Sequence, residues 1–280
     1  MSRQQLERHL RKLGEAREIM DAMKSLAYME TRRLARRIEV QQAMMQSLEA
    51  AATDFLAFYP QFLALPARGE PVHILLGSER GFCGNFNERL LQALEQRNDD
   101  KRARLIACGH KLCSRLGDDP RLYRAIDGAS VLDEVSGTLN RLTEALTELQ
   151  RDGGTLNLTL FYHETDGQEV RVRPLLPPFT ALAPGGKRYG CAPELYLSPA
   201  QFFAELVDHY LFAALHQSAY SSLMAENHQR LQHLDGAVRY LDERLEALAQ
   251  KGREIRQEEI TEEIEVILLN AEASAANPGS

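Results

Sequence analysis

The sequence predicts an α/β domain inserted between two long helices that wind together as an antiparallel coiled coil. Three observations predict it. A seven-residue apolar repeat fills the first 60 residues, a three-and-four apolar repeat runs from Leu231 to Leu248 in the helical last 80, and strand-like and helix-like runs alternate between them. The chain has 280 residues, 44% hydrophobic and 26% charged, which excludes a disordered polymer.

The first helix is read up to Pro60, interrupted only by Gly14. Leu6, Leu13, Met20, Ala27, Leu34, Leu48, Phe55 and Phe62 recur every seven residues, with Gln41 the one polar member. Leu10, Ala16, Met23, Ile38 and Met44 fill the neighbouring seam. Pro60 and Pro66 end the helix, and residues 67–71 read as a linker. Val72–Leu76 is a buried strand, 77–84 a turn, and 85–96 a helix with Asn85 at its cap. Leu105–Cys108 is a second strand and His110–Leu116 a short helix. Ser130 caps a longer helix carrying Val131, Leu132, Val135, Leu139, Leu142, Leu146 and Leu149. Leu156–Tyr162 alternates as a strand and Val170–Leu176 is another, so a mostly parallel, Rossmann-like sheet is expected. Residues 177–198 read as a loop or edge strand.

From Pro199 the chain is helical again. Leu231, Leu234, Val238, Leu241, Leu245 and Leu248 form an a/d seam. Ile255, Ile260, Ile264, Ile267 and Leu268 carry an apolar face onward with a phase shift near Gly252. The expected divisions are 1–66, 67–198, 199–272 and a tail at 273–280. A helix of some 55 residues spans about 80 Å at ~1.5 Å per residue. That outruns a 280-residue globule, so each terminal helix must bury its stripe against the other. Residues 1–40 carry ten bases against six acids, and residues 226–265 eleven acids against six bases, which favours that pairing over self-pairing.

The same residues exclude several chemistries. No apolar run reaches the ~18 residues of a membrane helix, and the mixed-charge N-terminus does not read as a secretory signal. A net charge of −7 counts against nucleic acid. Cys83, Cys108, Cys113 and Cys191 have no metal-ligand spacing and read as buried free thiols. His209, His216, His228 and His233 lack i, i+4 spacing and read as solvated. The acidic run Glu258, Glu259, Glu262, Glu263 and Glu265 reads as a solvated face. Gly77-Ser78-Glu79-Arg80-Gly81-Phe82-Cys83-Gly84-Asn85 sits where a phosphate loop would sit. It matches neither G-x-G-x-x-G nor a Walker loop, and a tight turn is the simpler reading. No catalytic, cofactor or metal site is expected.

Three segments together resemble the γ subunit family of F-type ATP synthases. Ala22-Met23-Lys24-Ser25-Leu26-Ala27 followed by Thr31-Arg32-Arg33 resembles its N-terminal A-M-K-x-V-A…K-x-R-R segment. Residues 78–87 resemble its T/S-D-R-G-L-C-G-x-x-N signature, and Arg256-Gln257-Glu258-Glu259-Ile260-Thr261-Glu262-Glu263-Ile264 its A-R-Q-x-x-I-T-x-E-L segment. The chain departs from the pattern at Glu79 (Asp in the family), at Phe82 (Leu) and at Tyr28-Met29-Glu30, where small residues are usual. It is thus a divergent member, and the Na⁺-translocating branch is one placement for it. The resemblance implies a non-catalytic central-stalk rotor on the cytoplasmic face of the bacterial inner membrane. Its partners would be the α and β subunits, the ε subunit and the c-ring, with the coupling ion (H⁺ or Na⁺) chosen in c and ATP chemistry carried out in β. The residues it marks as subunit contacts are Met23, Lys24, Arg80, Glu226, Arg230, Gln257, Thr261 and Glu263. The rival readings are an enzyme with a nucleotide site at 77–85 and a structural coiled-coil scaffold.

Overall fold

A computed structural model describes residues 3–63, 69–97, 102–180, 182 and 190–275. The expected linker residues 67–68, the loop residues 181 and 183–189, and the end of the tail at 276–280 lie outside the described residues. The chain divides into two compact units, Met1–Ser25 with Gln232–Ser280, and Leu26–Leu231. Helices α1 (Arg3–Phe58, 56 residues) and α5 (Pro199–Ala275, 77 residues) contribute to both.

The larger unit holds a five-stranded sheet in the order β3-β2-β1-β4-β5. Its strands are β1 (Glu70–Leu76), β2 (Arg104–Cys108), β3 (Leu122–Ile126), β4 (Leu156–His163) and β5 (Val170–Pro174). β1 pairs in parallel with β2 and β4, β2 in parallel with β3, and only β5 runs antiparallel. Side chains of a strand alternate between faces, and the two faces are covered differently. Val72, Ile74, Leu76, Ile106, Leu158 and Leu160 pack with α4 (Val135–Gly153) and the 199–231 part of α5. Leu75, Leu105, Ala107 and Phe161 pack with α2 (Phe86–Gln96) and α3 (His110–Leu116). β4 is therefore buried on both sides, not alternating as expected, because its 156–163 run is central.

Other expectations need correction. β3 was not foreseen: it is a short strand with exposed Arg124 and Ala125. Ser130 does not cap a helix. A 3₁₀ turn (Leu132–Glu134) intervenes, the Glu134 carboxylate accepts from the Ser130 amide at 2.7 Å, and the Ser130 hydroxyl accepts from Arg80 Nε at 2.9 Å. Asn85 occupies the cap position of α2, but its side chain makes no capping hydrogen bond. On α1 the buried methionine is Met45 at 3% exposure, while Met44 faces solvent. Cys191 is exposed and Cys113 half-buried, so only Cys83 and Cys108 fit the buried-thiol expectation.

The smaller unit is an antiparallel helix pair. Arg3 meets Glu259 at 3.4 Å, Arg17 meets Asp242 at 2.8 Å and Lys24 meets Asp235 at 2.7 Å. Leu6, Leu234, Val238, Leu241 and Leu248 are buried in the seam. Gly252 faces Leu6: a Cβ there would stand 3.2 Å from Leu6 Cδ2, tighter than ordinary contact. The partly buried positions Gly252, Ile255 and Glu259 continue the seam. Ile260, Ile264, Ile267 and Leu268 do not join it and are 49–65% exposed. α1 begins at Arg3, opposite Glu259, and α5 continues beyond that point to Ala275. At ~1.5 Å per residue the stretch from Glu259 to Ala275 spans about 24 Å. Among the described residues, no helix is long and apolar enough to cross a membrane.

Candidate functional site

The loop after β1 is where the sequence concentrates its unusual residues, and the structure ties it to α5. Gly77 is packed so closely that a Cβ would fall 2.4 Å from Leu112 Cβ. The Ser78 amide donates to Asn87 Oδ1 at 3.0 Å, and Asn87 Nδ2 donates back to Ser78 Oγ at 2.9 Å. That pair sets the entry of α2. Phe82 then adopts φ 63° and Gly84 φ 57°. Phe82 bears the unfavourable left-handed backbone as a bulky residue and is 49% exposed.

The carboxyl edge of a parallel sheet is where anionic ligands usually bind. Here that position is filled from within. Glu79 Oε2 accepts from the amides of His110, at 2.8 Å, and Gly128, at 2.7 Å. Gly109, at φ 113°, lies against Gly77, where a Cβ would sit 2.7 Å from the Gly77 carbonyl oxygen. The amides that would cradle a phosphate hold the chain's own carboxylate.

Beneath the loop lies a buried charged pair. Glu226 (2% exposed) and Arg230 (4%) are one helical turn apart on α5, and Arg230 Nη2 donates to Glu226 Oε1. Glu226 also accepts from the amides of Glu79, at 3.3 Å, and Arg80, at 3.2 Å. Arg230 donates to the Gly81 carbonyl at 3.3 Å, to Asn227 Oδ1 at 2.9 Å and to Cys83 Sγ at 3.5 Å. Burial pushes the Glu226 carboxyl above the ordinary carboxylate range, while Arg230 and the two amides pull it back. Burial likewise pushes the Cys83 thiol up to about 12, so it is unreactive.

Further bonds bind α5 to the sheet. Ser222 Oγ donates to the Leu76 carbonyl and Ser221 Oγ to the His163 carbonyl, both at 3.0 Å. His228 Nδ1 bonds the Thr165 carbonyl at 2.8 Å, and Gln229 Nε2 donates to the Gly167 carbonyl at 3.3 Å. Gln217 Oε1 accepts from Arg173 at 2.9 Å. His163 stacks on Phe86 with ring centroids 3.8 Å apart, and its Nε2 bonds the Phe86 carbonyl at 2.9 Å. Burial lowers its pKa to about 4, so the ring is neutral and Nε2 is the donor. The histidines were expected to be solvated, but His216 is buried and His228 partly so, each bonded to a backbone carbonyl.

The eight residues expected to contact partners do not form one cluster. Glu226 and Arg230 are inside the larger unit and have no surface to offer; burial corrects that expectation for both. Arg80 is exposed beside them, its guanidinium on Ser130. Met23 and Lys24 lie on the helix pair, partly buried, with Lys24 held by Asp235. Gln257, Thr261 and Glu263 are exposed near the end of α5, where Thr261 Oγ donates only to the Gln257 carbonyl. The roles of Ser221, Ser222, His228 and Gln229 were not foreseen. Their signal was a polar stretch, Gln217–Arg230, too rich in Ser, His, Asn and Gln for a helix face packed on apolar strands. Among the described residues no group of His, Cys, Asp and Glu could hold a metal ion.

A family model described as ATP synthase matches residues 2–273. The ATP synthase gamma chain of Clostridium perfringens (strain SM101 / Type A) is 24% identical over 289 residues, covering 96% of this chain and 97% of that protein. The gamma chain of Clostridium botulinum (strain Hall / ATCC 3502 / NCTC 13319 / Type A) is 21% identical over 283 residues, with 96% of each covered. Among solved structures, a chain of the Euglena gracilis mitochondrial ATP synthase OSCP/F1/c-ring assembly superposes with a TM-score of 0.65 at 13% identity, covering 99% of this chain and 97% of that one. A chain of the Tetrahymena thermophila mitochondrial ATP synthase central stalk and c-ring gives 0.55 at 15% identity, covering 78% and 99%.

Proposed function

The chain belongs to the ATP synthase family, and from that membership we propose that it is the γ subunit, the central-stalk rotor that passes rotation between the membrane c-ring and the catalytic hexamer. In this reading the helix pair enters the ring of α and β subunits, while the sheet-bearing unit joins ε and the c-ring. Catalysis resides in β, and this chain supplies torque and asymmetry. The complex sits at the cytoplasmic face of a bacterial inner membrane, and this chain is its peripheral part. Met23, Lys24, Arg80, Gln257, Thr261 and Glu263 act as subunit contacts, whereas Glu226 and Arg230 act from inside. The domain limits proposed are 1–66, 67–198 and 199–272, with a tail at 273–280.

The observation that carries this reading is the family match over residues 2–273, and the exposed apolar end of α5 supports it. Ile260, Ile264, Ile267 and Leu268 stand 49–65% exposed near the end of α5. An exposed apolar stripe of this kind needs an enclosing surface. The nucleotide-enzyme reading is disfavoured because Glu79 already holds the two amides a phosphate would use.

Co-expression with the α and β subunits from the same source tests the proposal. A stable complex containing all three chains, whose ATP hydrolysis turns a bead attached to the sheet-bearing unit, is expected. Full hydrolysis by α and β alone, with this chain left out of the assembly, would remove the proposal.

A further inference from the structure

We infer that α5 is keyed to the sheet by a polar joint over Gln217–Arg230, and that this joint, not the apolar packing below it, carries torque between the two. The inference rests on the rotor reading. The residues in it are positioning residues and touch no substrate.

The contacts along α5 change character at about Gln217. Before it, Phe203, Leu206, Tyr210, Ala213 and Ala214 pack into an apolar core. From Gln217 to Arg230 seven side chains bond polar partners on the sheet or its loops (Gln217, Ser221, Ser222, Glu226, His228, Gln229 and Arg230), interleaved with the buried apolar Leu223 and Ala225. At about 100° per residue, Gln217, Ser221 and His228 share one line down the helix. Ser222, Glu226 and Arg230 share another, about 160° round it by the same arithmetic. The first line grips β4, β5 and the turn between them, and the second grips β1 and its loop. Opposed jaws of this kind resist rotation of the helix in either sense.

The two kinds of contact differ in how they yield. Turning the helix by about 10° moves a side-chain tip about 5 Å from the axis by roughly 0.9 Å. A hydrogen bond of 3.0 Å is lost by such a displacement, and its buried partners are left unsatisfied. An apolar contact has no preferred direction and leaves no polar group unsatisfied, so it yields at lower cost. The polar stretch ends one residue before Leu231, the last residue of α5 in the larger unit, so the joint lies where torque would pass along the helix.

The test is single-molecule rotation of the assembled α, β and γ complex against an opposing load. The test variant is Ser221→Ala/Ser222→Ala/Gln229→Met. The control is Leu206→Val, which removes a methylene from the apolar stretch of the same helix. Unloaded ATP hydrolysis is expected to be unchanged in both. Stall torque should fall about twofold in the triple variant, which loses three of the joint's seven bonded side chains, and stay at the wild-type value in the control. A single Ser222→Ala variant guards against loss of folding and should give a smaller fall in the same direction. Wild-type stall torque in both serine variants overturns the joint, as does an equal fall in the Leu206→Val control. A wild-type complex that hydrolyses ATP without turning this chain overturns the rotor reading instead.

Discussion

Arg230→Met should destabilise the larger unit strongly, and more so in base than in acid. Arg230 is 4% exposed and supplies the only cation bonded to Glu226 among the described residues. Removing one member of a buried pair costs about 3–5 kcal/mol, because the other charge stays behind. Here the residual carboxylate keeps two amide donors, Glu79 and Arg80, and its pKa is already raised by burial. Without Arg230 it climbs further. The folded state then binds a proton at pH values where the unfolded carboxyl, near 4.3, does not. Stability of the variant then rises as pH falls through that window. The recovery is ~1.36 kcal/mol for each pKa unit by which the folded carboxyl stands above the unfolded one. The expected loss is therefore about 4 kcal/mol at pH 8 and measurably smaller at pH 5.5. Urea unfolding followed by circular dichroism, variant against wild type at each pH, measures the difference and cancels every other titrating group. A loss under ~1 kcal/mol at pH 8, or the same loss at both pH values, would refute the account of this pair.

Three more outcomes are expected. Gly109→Ala forces a side chain into φ 113° with its Cβ 2.7 Å from a backbone oxygen; a loss of about 3 kcal/mol or outright misfolding should appear in the same urea assay. His163, held neutral with its pKa near 4 against 6.5 unfolded, contributes stability that is complete above pH 6.5 and lost as pH falls towards 4. Wild type should lose about 2 kcal/mol on this account between pH 7.5 and 5, and His163→Gln should show a shallower pH slope. Ile264→Asp/Ile267→Asp, at side chains 52% and 65% exposed, should leave the isolated chain's melting temperature within experimental error yet lower recovery of the assembled complex, read by size-exclusion chromatography.

The parts legible in the sequence were those with long periods. Leu6, Leu34, Leu234 and Leu248 fall on repeats sustained for many turns, and all four are buried. β1 and β2 were legible because a central parallel strand is a continuous apolar run, as Ile74–Leu76 and Leu105–Cys108 are. β3 was not, since an edge strand with Arg124 and Ala125 facing outward has only a weak apolar pattern. The site was legible as a set of residues but not as an arrangement. Glu79, Glu226 and Arg230 stood out by resemblance, yet periodicity carries no information that residues 147 apart would share a hydrogen bond. Glu226 and Arg230, expected as subunit contacts, are buried under the loop after β1 instead. An i, i+4 pair of opposite charge on a helix reads as solvated until the loop that covers it is seen.

One absent methyl group has a consequence for the helix pair. Repeats of seven look alike when slid by seven, so leucines and alanines alone would let α1 settle one heptad higher or lower on α5. Leu6 resists that freedom, for it lies against Gly252, where even a Cβ would press on it at 3.2 Å. A heptad's slip in one sense would set Leu6 against Leu245, and in the other against Glu259, each of which carries the bulk that Gly252 lacks. The glycine thus fixes the register of the pair, and with it which turn of α5 stands opposite each turn of α1.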